Sequence, residues 1–153
     1  MCGLAGFYGF SNFIPSREKI TSCKKLMHRR GPDYSGQKEF KFNSKSIVLL
    51  HSRLSIIDPV KNSHQPMENN LGAIAFNGEI YNYIELRKNL INLGYKFFTN
   101  SDTEVLLNML IHYDTKAFSY LDGMWSLAYF NKRNKELILS RDRFGEKPLY
   151  TFK

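Results

Sequence analysis

Apolar and polar positions along the chain predict helices and strands in an irregular order. Residues 4–10 are apolar and interrupted by glycines, a pattern typical of a buried strand that another backbone approaches closely. The next segment opens with a Pro-Ser pair, and its apolar side chains recur at Ile20, Cys23 and Met27, spacings that predict a helix. Cys23 is therefore interpreted as a core residue of that helix rather than a catalytic thiol.

The middle of the chain alternates loops with short apolar runs. Residues 29–36 and 59–70 are polar, contain glycine or proline, and are predicted to be loops. Residues 47–50 and 54–57 are predicted strands on either side of a His-Ser-Arg tripeptide, and residues 72–76 form a third that runs into Asn-Gly-Glu.

Two amphipathic helices are predicted after these strands. Their apolar stripes comprise Tyr83, Leu86, Leu90 and Leu93 in the first and Val105, Leu106, Met109, Leu110 and Tyr113 in the second. Gly94 is the expected stop of the first helix, and residues 101–104 (Ser-Asp-Thr-Glu) have the capping-box pattern that begins the second.

The last third of the chain is again rich in predicted strands. They lie at residues 125–130 and 136–140, joined by a polar turn, and another begins at 149–152. Strands thus occur in hairpin-like groups, without the regular strand–helix alternation of a parallel doubly wound sheet. No repeat or linker divides the 153 residues, so the pattern favours one layered α+β domain with antiparallel sheets.

Composition and charge limit the location and class of the protein. The apolar runs are too short to span a membrane, and the first residues lack the regions of a signal peptide, so a cytoplasmic protein with two free thiols is expected. The net charge of +8 raises the hypothesis of a basic nucleic-acid-binding module. Its lysines and arginines are scattered, however, and no aromatic residues interleave with them, so no nucleic-acid partner is expected.

Cys2 follows only the initiator methionine, and this position gives it two interpretations. Removal of Met1 would leave the thiol and a free α-amino group on the same Cα. The pKa of an α-amine is about 7.7–8.0, so a useful fraction is neutral at physiological pH and can take the thiol proton. The alternative is a small apolar cysteine that begins a buried strand.

Other polar residues are also open to two interpretations each. Asn77 and Gly78 could direct an amide and a backbone N–H at one oxyanion, or could form a type I′ hairpin turn. Arg53, among apolar residues, could bind an α-carboxylate or form a structural ion pair with Asp58 or another acid. Asp102, at a helix N-terminus, could bind an α-ammonium group or simply complement the helix dipole.

Cofactor motifs are missing from the sequence. It has neither a Ser-Gly-Gly-x-Asp pyrophosphate loop nor a Gly-x-x-x-x-Gly-Lys-Ser/Thr loop, and its four histidines show no metal-ligand spacing. No nucleotide, cofactor or metal site is therefore expected in this domain.

Taken in order, these segments resemble the class II glutamine amidotransferase domain, an N-terminal-nucleophile (Ntn) hydrolase, over essentially the whole chain. They are most similar to the glutaminase half of glutamine-hydrolysing asparagine synthetases. The segments that carry the resemblance are Met1-Cys2-Gly3-Leu4-Ala5-Gly6, Arg30-Gly31-Pro32-Asp33, His51-Ser52-Arg53-Leu54-Ser55-Ile56-Ile57-Asp58, Gln65-Pro66-Met67, Phe76-Asn77-Gly78-Glu79-Ile80-Tyr81-Asn82, Ser101-Asp102-Thr103-Glu104 and Arg141-Asp142-Arg143-Phe144-Gly145-Glu146-Lys147-Pro148-Leu149-Tyr150.

The resemblance implies a four-layer α/β/β/α sandwich of two antiparallel sheets. It implies that Cys2 attacks the side-chain amide of L-glutamine to form a γ-glutamyl thioester, with Asn77 and Gly78 stabilising the oxyanion. It further implies that Arg53 holds the substrate α-carboxylate and Asp102 its α-ammonium group. The other residues expected to line the glutamine pocket are Leu54, Ser55, Ile56, Ile57 and Glu79.

The resemblance also assigns roles to two connecting segments. The loop at residues 30–33 is expected near the pocket, where it would help to close it. Residues 141–150 are expected to form a structural turn that faces a partner domain. Family members usually carry a glycine just before the Gln-Pro-Met segment, whereas this chain has Ser63-His64, a difference expected to alter only a loop.

Further expectations concern what lies outside the chain. Residues 1–153 would be an amidotransferase domain that is incomplete at its C-terminus, because family members continue into an ATP-dependent synthetase domain. ATP and magnesium are expected only there, and that domain or subunit is the expected partner, with homodimerisation left open. The expected ammonia acceptor is aspartate; the alternatives are a sugar or polysaccharide precursor, or a non-catalytic truncated remnant.

Overall fold

The structure is a computed structural model that describes residues 2–10, 12, 14–55 and 63–152. Its strands are β1 (Gly3–Phe10), β2 (Tyr34–Phe42), β3 (Lys45–Arg53), β4 (Met67–Glu68), β5 (Gly72–Ile80), β6 (Gly123–Asn131) and β7 (Glu136–Arg141). Its α-helices are α1 (Arg17–Met27), α2 (Tyr83–Asn92) and α3 (Asp102–Tyr113), with 3₁₀ turns at His28–Arg30 and Asp114–Tyr120.

The strands form two antiparallel sheets. The first sheet has the order β1-β3-β2, and the second has the order β4-β5-β6-β7. Because successive side chains of a strand point to opposite faces, each central strand contributes to two apolar layers. In β3, Val48 and Leu50 pack against α1, whereas Ile47 and Leu49 pack against the second sheet.

The second sheet divides its side chains in the same way. Ala73 and Ala75 of β5 face the first sheet, and Ile74 and Phe76 lie in the cluster that contains the buried face of α3. The layers are therefore helix, sheet, sheet and helix, which confirms the predicted α/β/β/α sandwich. None of the helices described by the structure is long and apolar enough to cross a membrane.

Several predicted boundaries in the first half are wrong. Strand β2 was not predicted: its start lies within the predicted loop at residues 29–36, and its outward-facing side chains are polar and hide its strand pattern. The His-Ser-Arg tripeptide belongs to β3 itself, and Leu54 and Ser55 have no regular structure, while residues 56–57 lie outside the described ranges. The short strand β4 lies within the second predicted loop.

The helices and the last strands agree better with the pattern. Ser101 is the N-cap of α3 and accepts a hydrogen bond from the Thr103 N–H at 3.0 Å, but Glu104 accepts from Phe98 and Thr99 instead of completing a capping box. Gly94 follows the end of α2, as predicted, and has a φ of +90°. Residues 149–152 form no strand.

His51 is fully buried between the sheets and donates from Nε2 to the Phe76 carbonyl oxygen at 2.9 Å. Its Nδ1 has no hydrogen-bond partner among the described residues. Burial disfavours the charged imidazolium and lowers the pKa of His51 from 6.5 to about 4. The hydrogen bond to Phe76 acts in the opposite direction, and the nearby Arg53 charge adds to the lowering. His51 is therefore a neutral, structural residue of the interior.

Gly36 in β2 allows the backbone of Gln65 to approach closely. A Cβ at position 36 would overlap the Gln65 carbonyl oxygen, whereas one at Gly9 in β1 would meet nothing within 4 Å. We predict that Gly36→Ala lowers the free energy of unfolding by about 1–3 kcal/mol more than Gly9→Ala, because only the first overpacks the fold. Urea denaturation measures the difference, and equal stabilities of the two variants would contradict it.

The neutral state of His51 predicts a loss of stability in acid. The unfolded chain binds more protons than the folded one between pH 6.5 and about 4, so stability falls as the pH is lowered through this window. The contribution is on the order of 3 kcal/mol. We expect His51→Gln to unfold with a flatter acid dependence in thermal melts, and the exposed control His28→Gln to keep the original slope. If the stability of His51→Gln fell with pH as steeply as that of the unsubstituted protein, the acid sensitivity would arise from another titrating group.

Candidate functional site

A cavity of about 90 Å³ lies where β1 begins, β3 ends and α3 begins. Of the residues predicted to form a site, it brings together Cys2, Arg53, Leu54, Asn77, Gly78, Glu79 and Asp102. The predicted residue Ser55 is not among the lining residues, and its N–H donates to the Asp33 carboxylate at 2.7 Å. Ile56 and Ile57 lie outside the described residues.

Cys2 is held to the end of β3 by backbone contacts. Its Sγ accepts a hydrogen bond from the Leu54 N–H at 3.3 Å and lies 3.6 Å from the Leu54 carbonyl oxygen, to which the thiol can donate. The carbonyl oxygen of Cys2 accepts a hydrogen bond from Nε of Arg30 at 3.1 Å. The sulfur and the backbone of the first residues thus have fixed positions at the cavity.

The loop at residues 30–33 supports this arrangement from outside the cavity. Gly31 packs so closely on the backbone of Ser52 and Arg53 that a Cβ would overlap it. The Asp33 N–H donates to the Arg53 carbonyl oxygen at 3.0 Å, and the Asp33 carboxylate accepts from the Ser55 N–H at 2.7 Å. The loop is near the site, as predicted, but it anchors the wall instead of lining the pocket.

Asn77 and Gly78 lie inside β5, paired with Ser126 and Trp125 of β6. The type I′ turn interpretation is therefore wrong. Asn77 is buried and, by alternation, shares the inner face of the sheet with Ala73 and Ala75. Only glycine fits at position 78, because a Cβ would overlap the carbonyl oxygen of Met124.

The outer edge of β5 changes partners along its length. β4 pairs with Ala73 and Ile74, and beyond it side chains take over: the Phe76 N–H donates to Gln65 Oε1 at 2.7 Å, and the Ile80 N–H donates to Asp102 Oδ2 at 3.2 Å. N–H groups two residues apart point to the same edge of a strand. The Gly78 N–H is therefore directed to this edge, where Gly78 lines the cavity.

The cavity carries charges of both signs. Arg53, Asp102 and Lys147 are each less than a tenth exposed, and Glu79 is half-buried. Burial raises the pKa of Asp102, and the Glu79 charge adds to this, while hydrogen bonds from the Ile80 and Thr103 N–H groups act in the opposite direction. Two cations and two carboxylates around one small space match the ends of a zwitterionic ligand.

Asp102 and Arg53 each had a structural interpretation as an alternative to binding a ligand. Asp102 is the first residue of α3, so its carboxylate faces the positive end of the helix dipole and also lines the cavity. The two interpretations of Asp102 are therefore compatible. Arg53 also lines the cavity, and its predicted structural partner Asp58 lies outside the described residues.

Sequence reasoning missed half of the cavity wall. The further lining residues are Ser63, Gln65, Phe76, Ser101, Thr103, Met124 and Lys147. Several of them belong to the segments quoted above, so their position beside predicted site residues was the available signal. Their contribution was missed because it depends on contacts between distant segments.

Lys147 reaches the cavity because the turn before it is fastened by Asp142. The Asp142 carboxylate accepts hydrogen bonds from the N–H groups of Phe144, Glu146, Lys147 and Trp125 at 2.9–3.2 Å. Burial opposes ionisation of Asp142, but these four donors together lower its pKa. The predicted structural turn is present, and it also supplies a wall of the cavity.

Comparison with known proteins agrees with this fold. A family model described as a glutamine amidotransferase domain matches residues 1–153. Asparagine synthetase [glutamine-hydrolyzing] 1 of Bacillus subtilis (strain 168) is 43% identical over 98% of this chain and 24% of its own length. Asparagine synthetase [glutamine-hydrolyzing] 2 of Oryza sativa subsp. japonica is 35% identical over 98% of this chain and 25% of its own length.

Among solved structures, the glutamine phosphoribosylpyrophosphate amidotransferase of B. subtilis, complexed with ADP and GMP, has a similar fold. Its TM-score is 0.52 at 26% sequence identity, over 65% of this chain and 23% of that chain. The chain thus spans about a quarter of the length of these relatives. Because the family model matches it from end to end and the layered fold agrees, the chain belongs to the glutamine amidotransferase domain family.

Proposed function

We propose that the chain hydrolyses the side-chain amide of L-glutamine, with Cys2 as the nucleophile. The observation that carries the proposal is that Cys2, Asn77 and Gly78 line the same cavity as the buried charges Arg53 and Asp102. A thiol, two candidate oxyanion donors and two charges of opposite sign are the groups that amide hydrolysis of a free amino acid requires.

The base in this mechanism is the α-amine that becomes free when Met1 is removed. It takes the thiol proton as Sγ bonds to the amide carbon of the substrate. The tetrahedral intermediate then breaks its C–N bond, and the proton passes to the leaving nitrogen, which departs as ammonia. Water attacks the γ-glutamyl thioester, breaks the S–C bond, and releases glutamate with the thiol restored.

The oxyanion of both tetrahedral intermediates would be stabilised by the Asn77 side-chain amide and the Gly78 N–H. The support for this role is that Gly78 lies between Phe76 and Ile80 on β5. The N–H groups of those two residues are already bound by the side chains of Gln65 and Asp102. Donors held on a strand need little reorganisation when charge develops, and removal of one such donor typically costs 10²–10³ in kcat.

The α-groups of glutamine would bind at the charged end of the cavity. Arg53 is suited to the α-carboxylate, because a guanidinium can bind it in a bidentate manner. Asp102, with Glu79 nearby, is suited to the α-ammonium group. The backbone of Leu54, which lies beside Cys2 at the cavity, would complete the pocket.

The ammonia would be passed to an ATP-dependent synthetase domain or subunit. Relatives named asparagine synthetase favour aspartate as the acceptor, and a sugar or polysaccharide precursor is the alternative. ATP and magnesium would bind in that partner, and a cytoplasmic location fits such a reaction. These properties concern the longer relatives, of which this chain spans about a quarter.

We predict that Cys2→Ala lowers glutamine hydrolysis by at least about 10³-fold, because the nucleophile is lost. Cys23→Ala, which changes the other cysteine, should retain activity. A glutamine-like electrophile should label Cys2 alone by mass spectrometry, and molecules that retain Met1 should remain unlabelled. Full activity of Cys2→Ala would refute the proposal, and an unsubstituted protein without activity or labelling would identify a non-catalytic remnant.

Because the pKa of Asp102 is raised, its carboxylate becomes protonated at a higher pH than that of an ordinary aspartate. We therefore predict that glutamine binding also begins to weaken at that higher pH. As the pH falls, protonation removes the negative charge that the α-ammonium group needs. KM should therefore rise at low pH while kcat changes less, and Asp102→Asn should raise KM by roughly 10- to 100-fold at neutral pH.

Asp114→Asn is the matched control, since Asp114 is exposed at the opposite end of α3. It should leave KM and its pH dependence unchanged. A KM for Asp102→Asn equal to that of the unsubstituted protein would show that the ammonium group binds elsewhere.

A further inference from the structure

We propose that Gln65 and Thr103 are positioning residues for glutamine binding: together they orient the Asp102 carboxylate and keep the Gly78 N–H available. This inference rests on the proposed function and extends it to two residues that have no assigned role. Both side chains are buried, with 6% and 3% of their surface exposed, and both line the cavity.

Gln65 uses both ends of its amide. Its Oε1 accepts the Phe76 N–H at 2.7 Å, and its Nε2 donates to Thr103 Oγ1 at 3.2 Å. The first bond replaces the strand partner that β4 no longer supplies, and the carbonyl of the same residue, Phe76, accepts from His51. Since both bonds are buried, neither the amide nor its orientation is free to change without a cost.

Thr103 passes this orientation to Asp102. A hydroxyl has one proton to donate, and the Gln65 amide occupies its oxygen as a donor, so the Thr103 proton must point elsewhere. The Asp102 Oδ1 atom lies 3.5 Å away, while the other carboxylate oxygen accepts from the Ile80 N–H at 3.2 Å. Both oxygens of Asp102 thereby face donors, Oδ1 at the limit of hydrogen-bonding distance and Oδ2 at a normal one.

The hydroxyl matters because burial works against a charged Asp102. The other charged groups that line the cavity are Glu79 on β5, Arg53 on β3 and Lys147 after β7. On α3 itself, Glu104 is engaged by the N–H groups of Phe98 and Thr99. Loss of the Thr103 donor should therefore shift Asp102 towards its neutral form and weaken its hold on an ammonium group.

The same chain of contacts keeps Gly78 accessible. Gln65 and Asp102 bind the N–H groups of Phe76 and Ile80, which lie on either side of Gly78 along the same edge. Thr103 links these two side chains through its hydroxyl. Gln65 and Asp102 thus provide acceptors along the part of the β5 edge that pairs with no strand among the described residues. The Gly78 N–H between them is left for an oxygen atom of the ligand.

The test compares Thr103→Val, Thr103→Ser and Gln65→Glu in glutamine hydrolysis. Thr103→Val keeps the shape but removes the hydroxyl, so KM should rise about 5- to 10-fold with kcat within about 2-fold. The acid limb of kcat/KM should move to higher pH. Thr103→Ser should restore both values. In Gln65→Glu the side chain can still accept a hydrogen bond from the Phe76 N–H, but as a carboxylate it cannot donate one to the Thr103 hydroxyl. This variant should therefore also raise KM and shift the acid limb of kcat/KM to higher pH.

Thr21→Val, at an exposed position of α1, is the matched control and should behave as the unsubstituted protein. Labelling of Cys2 by a glutamine-independent thiol reagent should be equal in all variants. The inference is overturned if Thr103→Val and Gln65→Glu keep the original KM and pH profile, or if only their melting temperatures fall. Failure of the proposed function differs, because the unsubstituted protein itself would then lack activity or Cys2 labelling.

Discussion

The site depends on one constraint, the need of the β5 backbone for hydrogen-bond partners beyond the end of β4. Buried N–H and C=O groups without partners are costly, so the fold supplies side chains where the strand stops. Gln65, His51 and Asp102 serve as those partners. The sheet edge is thereby satisfied at Phe76 and Ile80, and Gly78 between them lines the cavity.

This arrangement places the candidate nucleophile directly before a strand and most of its surroundings on packed strands and a helix. Cys2 is tied to Leu54 beyond β3, Gly78 is enclosed by the neighbouring strand, and Asp102 begins a helix whose residues up to Leu110 are all buried. Groups on packed strands and helices hold their geometry better than groups on loops. The loop containing Gly31 contributes by fixing the wall from behind.

The three helices and the β6–β7 hairpin could be predicted from the sequence, because local periodicity determines them, whereas the four-layer arrangement was implied by the family resemblance. The whole of β2 was missed because its outer face is polar. Asn77-Gly78 has a turn-like composition, which pairing with Ser126 and Trp125 overrides. Cys2 and Asp102 could be named as candidates from their positions. Gln65 could not, because its role arises only when distant segments meet.

The turn held by Asp142 brings an exposed side chain and a buried one close together in the sequence. All four of its hydrogen bonds come from backbone N–H groups, so they do not specify the side chains at positions 144 and 146, whereas the φ of +68° at Gly145 favours glycine. Phe144 is 90% exposed and projects outward, while Lys147 at the end of the same turn is 7% exposed and faces inward. Position 144 can therefore accept different side chains while the turn still holds Lys147 in the cavity wall.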